Sequence, residues 1–147
     1  MRTNLTNILK EKSKEYNFPL LNAKLYSQLT ENEKLNVNFI TQKLETDKAE
    51  LIYNSEKISP IIITQNHIII SERKIDLAQI EYLKTNSSEQ KLVRENFDKM
   101  LAKFELTKWN IGLQNGENIE IELKKGKTYY SFYHIMQKLL RTKQYWN

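Results

Sequence analysis

The side chains able to do chemistry in this chain are few and scattered. His67 sits in "SPIIITQNHIIISERK", between two isoleucine triplets, and the other histidine, His134, lies far along the sequence. A metal site needs several ligands, and a catalytic histidine needs a partner that orients it or takes its proton. Nothing near His67 in sequence supplies either, so a structural or surface role is expected, with no metal and no cofactor. Glu117, Glu120 and Glu122 form a carboxylate cluster. Acid–base work by such a group requires a cleft that shifts its pKa. Strict alternation around Glu120 and Glu122 instead places both on an outward strand face. With no cysteine, the sequence lacks disulfides, thiolate metal sites and cysteine nucleophiles. It also has no glycine-rich phosphate loop. No catalytic residue is assigned, and the chain is expected not to be an enzyme.

The other chemical feature is charge. The net charge is +5, and residues 123–147 hold Lys124, Lys125, Lys127, Lys138, Arg141 and Lys143 with no acidic side chain. On a final helix over 128–143, Tyr129, Phe132, Tyr133, Met136, Leu139 and Leu140 make an apolar face. Lys127, Tyr130, His134, Lys138 and Arg141 fall on the opposite side. Those five residues are the candidate partner-binding surface. A solvated lysine-rich face that suits the helix dipole is the plainer reading of the same pattern.

The elements that position these groups follow from periodicity. Leu5, Ile8, Leu9 and Lys12 predict an amphipathic helix. A second helix is expected after Pro19, from Leu21, Leu25 and Leu29 at four-residue spacing. A third opens at Thr30 and Glu33, which have capping-box spacing, with Leu35, Phe39, Ile40 and Leu44 as its buried stripe. The texture changes near residue 46. "AELIYN", "ISPIIIT", "HIIIS", "KIDL" and "IEYLKT" read as strands, with a tight turn at Gln65-Asn66 and Pro60 at a strand start or edge. Ser87 and Gln90 have capping-box spacing for a helix over 88–104, whose face is Leu92, Val93, Phe97, Met100, Leu101 and Phe104. "WNIGLQNGENIEIEL" is the plainest hairpin, with a type I′ turn expected at Asn115-Gly116.

The organisation expected is therefore a helical N-terminal extension over 1–46 and an α+β domain over 47–147. Counted in order, residues 47–143 give about seven short strands and a closing helix, with one helix inserted before the last hairpin, and "SPIIITQNHIIISERKIDLAQIEYL", "IGLQNGENIEIEL" and "KKGKTYYSFYHIMQKLL" carry the pattern. That order resembles a bacterial pleckstrin-homology-like (PH-like) domain. The resemblance implies a partly open antiparallel barrel closed by a C-terminal helix, and a binding module rather than an enzyme. Phosphoinositide-binding members cluster Lys and Arg between their first two strands. Here "NSEKIS" has one lysine, so that ligand is not implied. "RKIDLAQIEYLKT" is also similar to the opening strands of LytTR-type DNA-binding domains, but the closing helix is not part of that pattern.

The functions left are protein binding or scaffolding, with a toxin-neutralising immunity protein as one form, and nucleic-acid binding through the basic helix. Tyr130, Tyr145 and Trp146 would be its stacking groups. No apolar run reaches the length of a membrane span. The N-terminus lacks a signal-peptide pattern, and a cytoplasmic protein is expected. The Lys, Ile and Asn bias suggests an A/T-rich bacterial genome.

Overall fold

The computed structural model describes residues 5–20, 22–54, 60–98 and 105–142. The described chain is α+β, with four helices and two antiparallel sheets, and these do not form a closed barrel. It divides into two compact units at Ala78/Gln79.

The first unit holds α1 (Leu5–Glu15), β1 (Ala23–Leu25), α2 (Glu31–Lys43), β2 (Ala49–Tyr53), β3 (Ile61–Thr64), β4 (His67–Ile70) and β5 (Arg73–Asp76). The five strands pair in sequence order, each antiparallel to the next. Pro60 precedes β3, so its missing N–H costs the ladder nothing. Ile62 and Ile69 pack with Val37 and Ile40 of α2. Ile61, Ile63, Ile68 and Ile70 point to the opposite face and are also buried. Burial on both faces explains why these strands are unbroken apolar triplets rather than alternating ones.

Two expectations for this region are corrected. Over residues 22–29 the chain is not a helix: it forms β1 and a single 3₁₀ turn over Tyr26–Gln28, and Leu21 lies outside the described residues. β1 gains a ladder with β2 through Ala23↔Tyr53 and Leu25↔Leu51, and that pairing outweighs local leucine spacing. The α2 capping box forms, with Thr30 N–H donating to Glu33 and Glu33 N–H to Thr30 Oγ1. Its buried face, however, is Val37, Ile40 and Thr41, whereas Leu35 and Phe39 are 68% and 65% exposed.

The second unit holds β6 (Ile80–Thr85), α3 (Ser87–Asn96), β7 (Lys108–Leu113), β8 (Asn118–Glu122) and α4 (Lys127–Thr142). Its sheet order is β6-β7-β8. The seven strands expected after residue 46 are β2 to β8. Trp109, fully buried, meets Phe132 and Tyr133 of α4 edge-on at 5.8 and 5.9 Å between ring centroids. Tyr129 Oη donates to Lys108 O at 2.9 Å, fastening the start of α4 to β7. Burial drives the Tyr129 phenol well above its usual pKa, with Glu89 and Tyr133 adding to the shift.

The helix after β6 is capped by Asn86, not Ser87: Asn86 Oδ1 accepts from Glu89 N–H at 2.9 Å. Glu89 is then available to accept from the backbone N–H groups of Thr107 and Lys108, at 2.8 and 2.7 Å, and from the Thr107 hydroxyl. α3 ends at Asn96. Of the apolar face expected there, Val93 is buried, Leu92 is 60% exposed and Phe97 45%. Met100, Leu101 and Phe104 lie outside the described residues.

The β7–β8 hairpin forms with Trp109↔Ile121 and Ile111↔Ile119. Its turn differs from expectation. Leu113 N–H donates to Glu117 O and Gly116 N–H to Leu113 O, which leaves a three-residue loop over 114–116. Gly116 takes the positive φ of 91°, and Asn115 does not. That pattern fits a type I turn with a glycine bulge rather than I′. The two-residue loop with positive φ at both positions is instead Ser71-Glu72, at 51° and 59°, between Ile70 and Arg73.

Candidate functional site

The five candidate residues all lie on α4, spaced so that they form one stripe along its length. Tyr130 and His134, one turn apart, are half-buried and in contact, with ring centroids 4.2 Å apart at 66°. Lys127, Lys138 and Arg141 are exposed around that ring pair. Arg141 Nε donates back to Gln137 O at 3.4 Å, which directs the guanidinium along its own helix. Lys127 and Lys138 are about 16 Å apart along the axis at 1.5 Å per residue, so the stripe can contact an extended anionic surface but cannot converge on one small anion.

His67, expected to lack partners, has two. Its Nδ1 lies 3.3 Å from Asp47 Oδ1 and its Nε2 2.9 Å from Asp76 Oδ1. A neutral imidazole can donate to only one of them, whereas an imidazolium satisfies both. Asp47 also accepts from the backbone and side-chain N–H of Asn66 at 3.1 and 3.2 Å. Thr64 Oγ1 accepts from His67 N–H at 2.9 Å. Burial pushes the Asp47 carboxyl upward, but its interactions with Thr64 and His67 prevail and hold it below the usual range. The cluster thus latches the Gln65-Asn66 turn to the entry of β2. Both ring nitrogens face carboxylates, so neither is directed at an open position. Among the described residues no group of three or more His, Cys, Asp or Glu could hold a metal ion.

Part of this latch was legible in sequence. With Ser71-Glu72 as the turn, the hairpin register puts Asp76 opposite His67. Asp47 arrives from a loop, and no local pattern announces it.

The apolar residues left outside the core were also missed. Leu35 and Phe39 are one turn apart on the outward face of α2. That helix is fixed in place by Glu33, which accepts from Thr30 N–H, Lys24 Nζ and Asn54 Nδ2. The Thr30 backbone bond, with Lys24 and the Thr30 hydroxyl adding to it, outweighs burial and holds the Glu33 carboxyl below its usual range.

The outer face of the second sheet carries an amide chain. Asn86 Nδ2 donates to Asn110 Oδ1 and to Glu120 Oε1, Asn110 Nδ2 to Asn118 Oδ1, and Asn118 Nδ2 to Tyr82 Oη. Lys84 Nζ sits 4.5 Å from the Tyr82 ring centroid. The carboxylates of Glu120 and Glu122 lie on this same exposed face. No family model, no curated protein and no solved structure matches the chain. No described helix is long and apolar enough to cross a membrane.

Proposed function

We propose that the chain is a non-catalytic protein-binding module that docks α2 into an apolar groove on its partner. The observation carrying this reading is the Leu35–Phe39 pair, more than 60% exposed at both positions on a helix whose other face is anchored in the core. Single exposed apolar residues need no explanation, but a contiguous pair on one turn matches the spacing of helix-in-groove anchors. The PH-like reading of the strand order belongs to the same proposal, as does action in a bacterial cytoplasm, and neutralising a toxin is one form such docking takes. Placement of a photo-crosslinking residue at Phe39 tests it. We expect specific crosslinks in lysate that Leu35→Asp removes, with an unchanged melting temperature. Identical crosslinks in Leu35→Asp would sink the assignment.

A second reading rests on α4. Lys127, Lys138 and Arg141 surround the Tyr130–His134 ring pair, an arrangement suited to phosphates and stacked bases. Micromolar binding of mixed DNA or RNA, lost in Lys138→Glu with Arg141→Glu and falling steeply with salt, would favour it over docking through α2.

A further inference from the structure

We propose that the outer edge of β8 accepts an extended peptide strand with basic side chains at alternate positions. The ladder sets which groups are on offer. Leu113 N–H donates to Glu117 O at 2.8 Å, and Leu123 N–H donates to Thr107 O at 2.7 Å. In an antiparallel pair the residues that exchange bonds alternate with those that do not. Ile119 and Ile121, opposite Ile111 and Trp109, therefore turn their backbone groups into the sheet. Asn118, Glu120 and Glu122 turn theirs outward. Among the described residues no strand lies beyond β8, and no protein group bonds the backbone of these three.

The opposite edge of the same sheet is treated differently. On β6, Leu83 O accepts from Gln137 Nε2 of α4 at 2.8 Å, so a side chain occupies that edge. β8 has no such cap.

Side-chain charge selects the occupant. The outward-facing residues of β8 are Asn118, Glu120 and Glu122, all exposed. A second copy pairing edge to edge would set carboxylates against carboxylates, and like charges directly opposite destabilise a ladder. The acidic pair thus guards against self-association. It leaves a basic strand as the complementary partner, gaining main-chain bonds and cross-strand ion pairs together. The chain as a whole is +5, so attraction for a basic strand is a local property of this edge and not of the net field.

The test uses the full chain, isotopically labelled, and a capped heptapeptide of alternating valine and lysine at low salt. We expect amide exchange at Asn118, Glu120 and Glu122 to slow at least tenfold, with Ile119 and Ile121 little changed. A matched valine–glutamate peptide should give no protection. Glu122→Pro deletes one outward N–H without touching a ladder bond, and should abolish the protection at Asn118 and Glu120 while leaving the melting temperature unchanged. Should that variant unfold, Glu120→Lys with Glu122→Lys carries the test, and its preference should switch to the acidic peptide. Three results would overturn the proposal: lysine-peptide binding without protection at these amides, equal protection by both peptides, or unchanged lysine-peptide preference in the double variant. Because the readout is confined to β8, it stands or falls separately from docking through α2.

Discussion

Replacing Gly112 by alanine reads out whether the outer face of the second sheet is a packed surface. A glycine inside a strand is ordinarily a weakness, and alanine there gains about 0.5–1 kcal/mol by restricting the unfolded chain. At Gly112 the sign should reverse. A Cβ built on it falls 2.6 Å from Tyr82 Cδ1 and closer still to Cε1 and Cζ, so the ring lies flat on the glycine. Moving the ring breaks the 2.8 Å bond from Asn118 Nδ2, worth about 0.5–1.5 kcal/mol. It also displaces the ring from Lys84, 4.5 Å away, worth about 0.5–1 kcal/mol at an exposed site. Lost ring contact with the backbone adds about 0.5–1 kcal/mol, on the order of 30 Å² at 25 cal/mol per Å². Set against the alanine gain, the net is a destabilisation of about 1–2 kcal/mol. In a Tyr82→Ala background those losses vanish and Gly112→Ala should stabilise by about 0.5–1 kcal/mol. The double-mutant cycle should then show a coupling of about 2 kcal/mol. Urea titration followed by Trp109 fluorescence, in a Trp146→Phe background so that one tryptophan reports, measures it. Equal effects of Gly112→Ala in both backgrounds would refute the argument.

Other expectations are as specific. Ser71→Asn with Glu72→Gly should raise stability by about 1–2 kcal/mol, since both positions hold positive φ with side chains that disfavour it; the lost Lys43–Glu72 pair is exposed and costs little. A urea midpoint at or below wild type would count against that turn. Ser131 Oγ is fully buried without a partner among the described residues, so Ser131→Ala should stabilise by about 1 kcal/mol, read by thermal melting. Trp109→Ala should destabilise by about 3–5 kcal/mol, because the ring is fully buried between β7 and α4; an unchanged urea midpoint would remove the hairpin from the core. Asp47, held below the usual carboxylate pKa, contributes stability that is complete above the unfolded value near pH 4 and is lost as pH falls through the folded value. Wild type and Asp47→Asn should therefore converge in stability as pH drops below about 4, and a stability gap that persists at lower pH would exclude the latch.

The sequence by itself determined the elements whose signals are local. The Thr30–Glu33 capping box, the β7–β8 alternation and the apolar stripe of α4 each lie within a few turns or one hairpin, and each forms where its spacing places it. Triplet isoleucines likewise marked β3 and β4. Tertiary structure decided what depends on a distant partner. β1 is a strand because β2 offers it a ladder, although its leucines are spaced for a helix. Leu35 and Phe39 lie outside because Val37 and Ile40 meet the sheet, and a broad apolar helix cannot say in advance which of its stripes will find a surface. The same holds for Asp47, brought to His67 across 20 residues of chain. It holds too for the two edges of the second sheet, since only the placement of α4 puts Gln137 on β6. Periodicity reports what a segment can bury. Which face is buried, and which edge stays open, is set by the neighbours that long-range packing delivers.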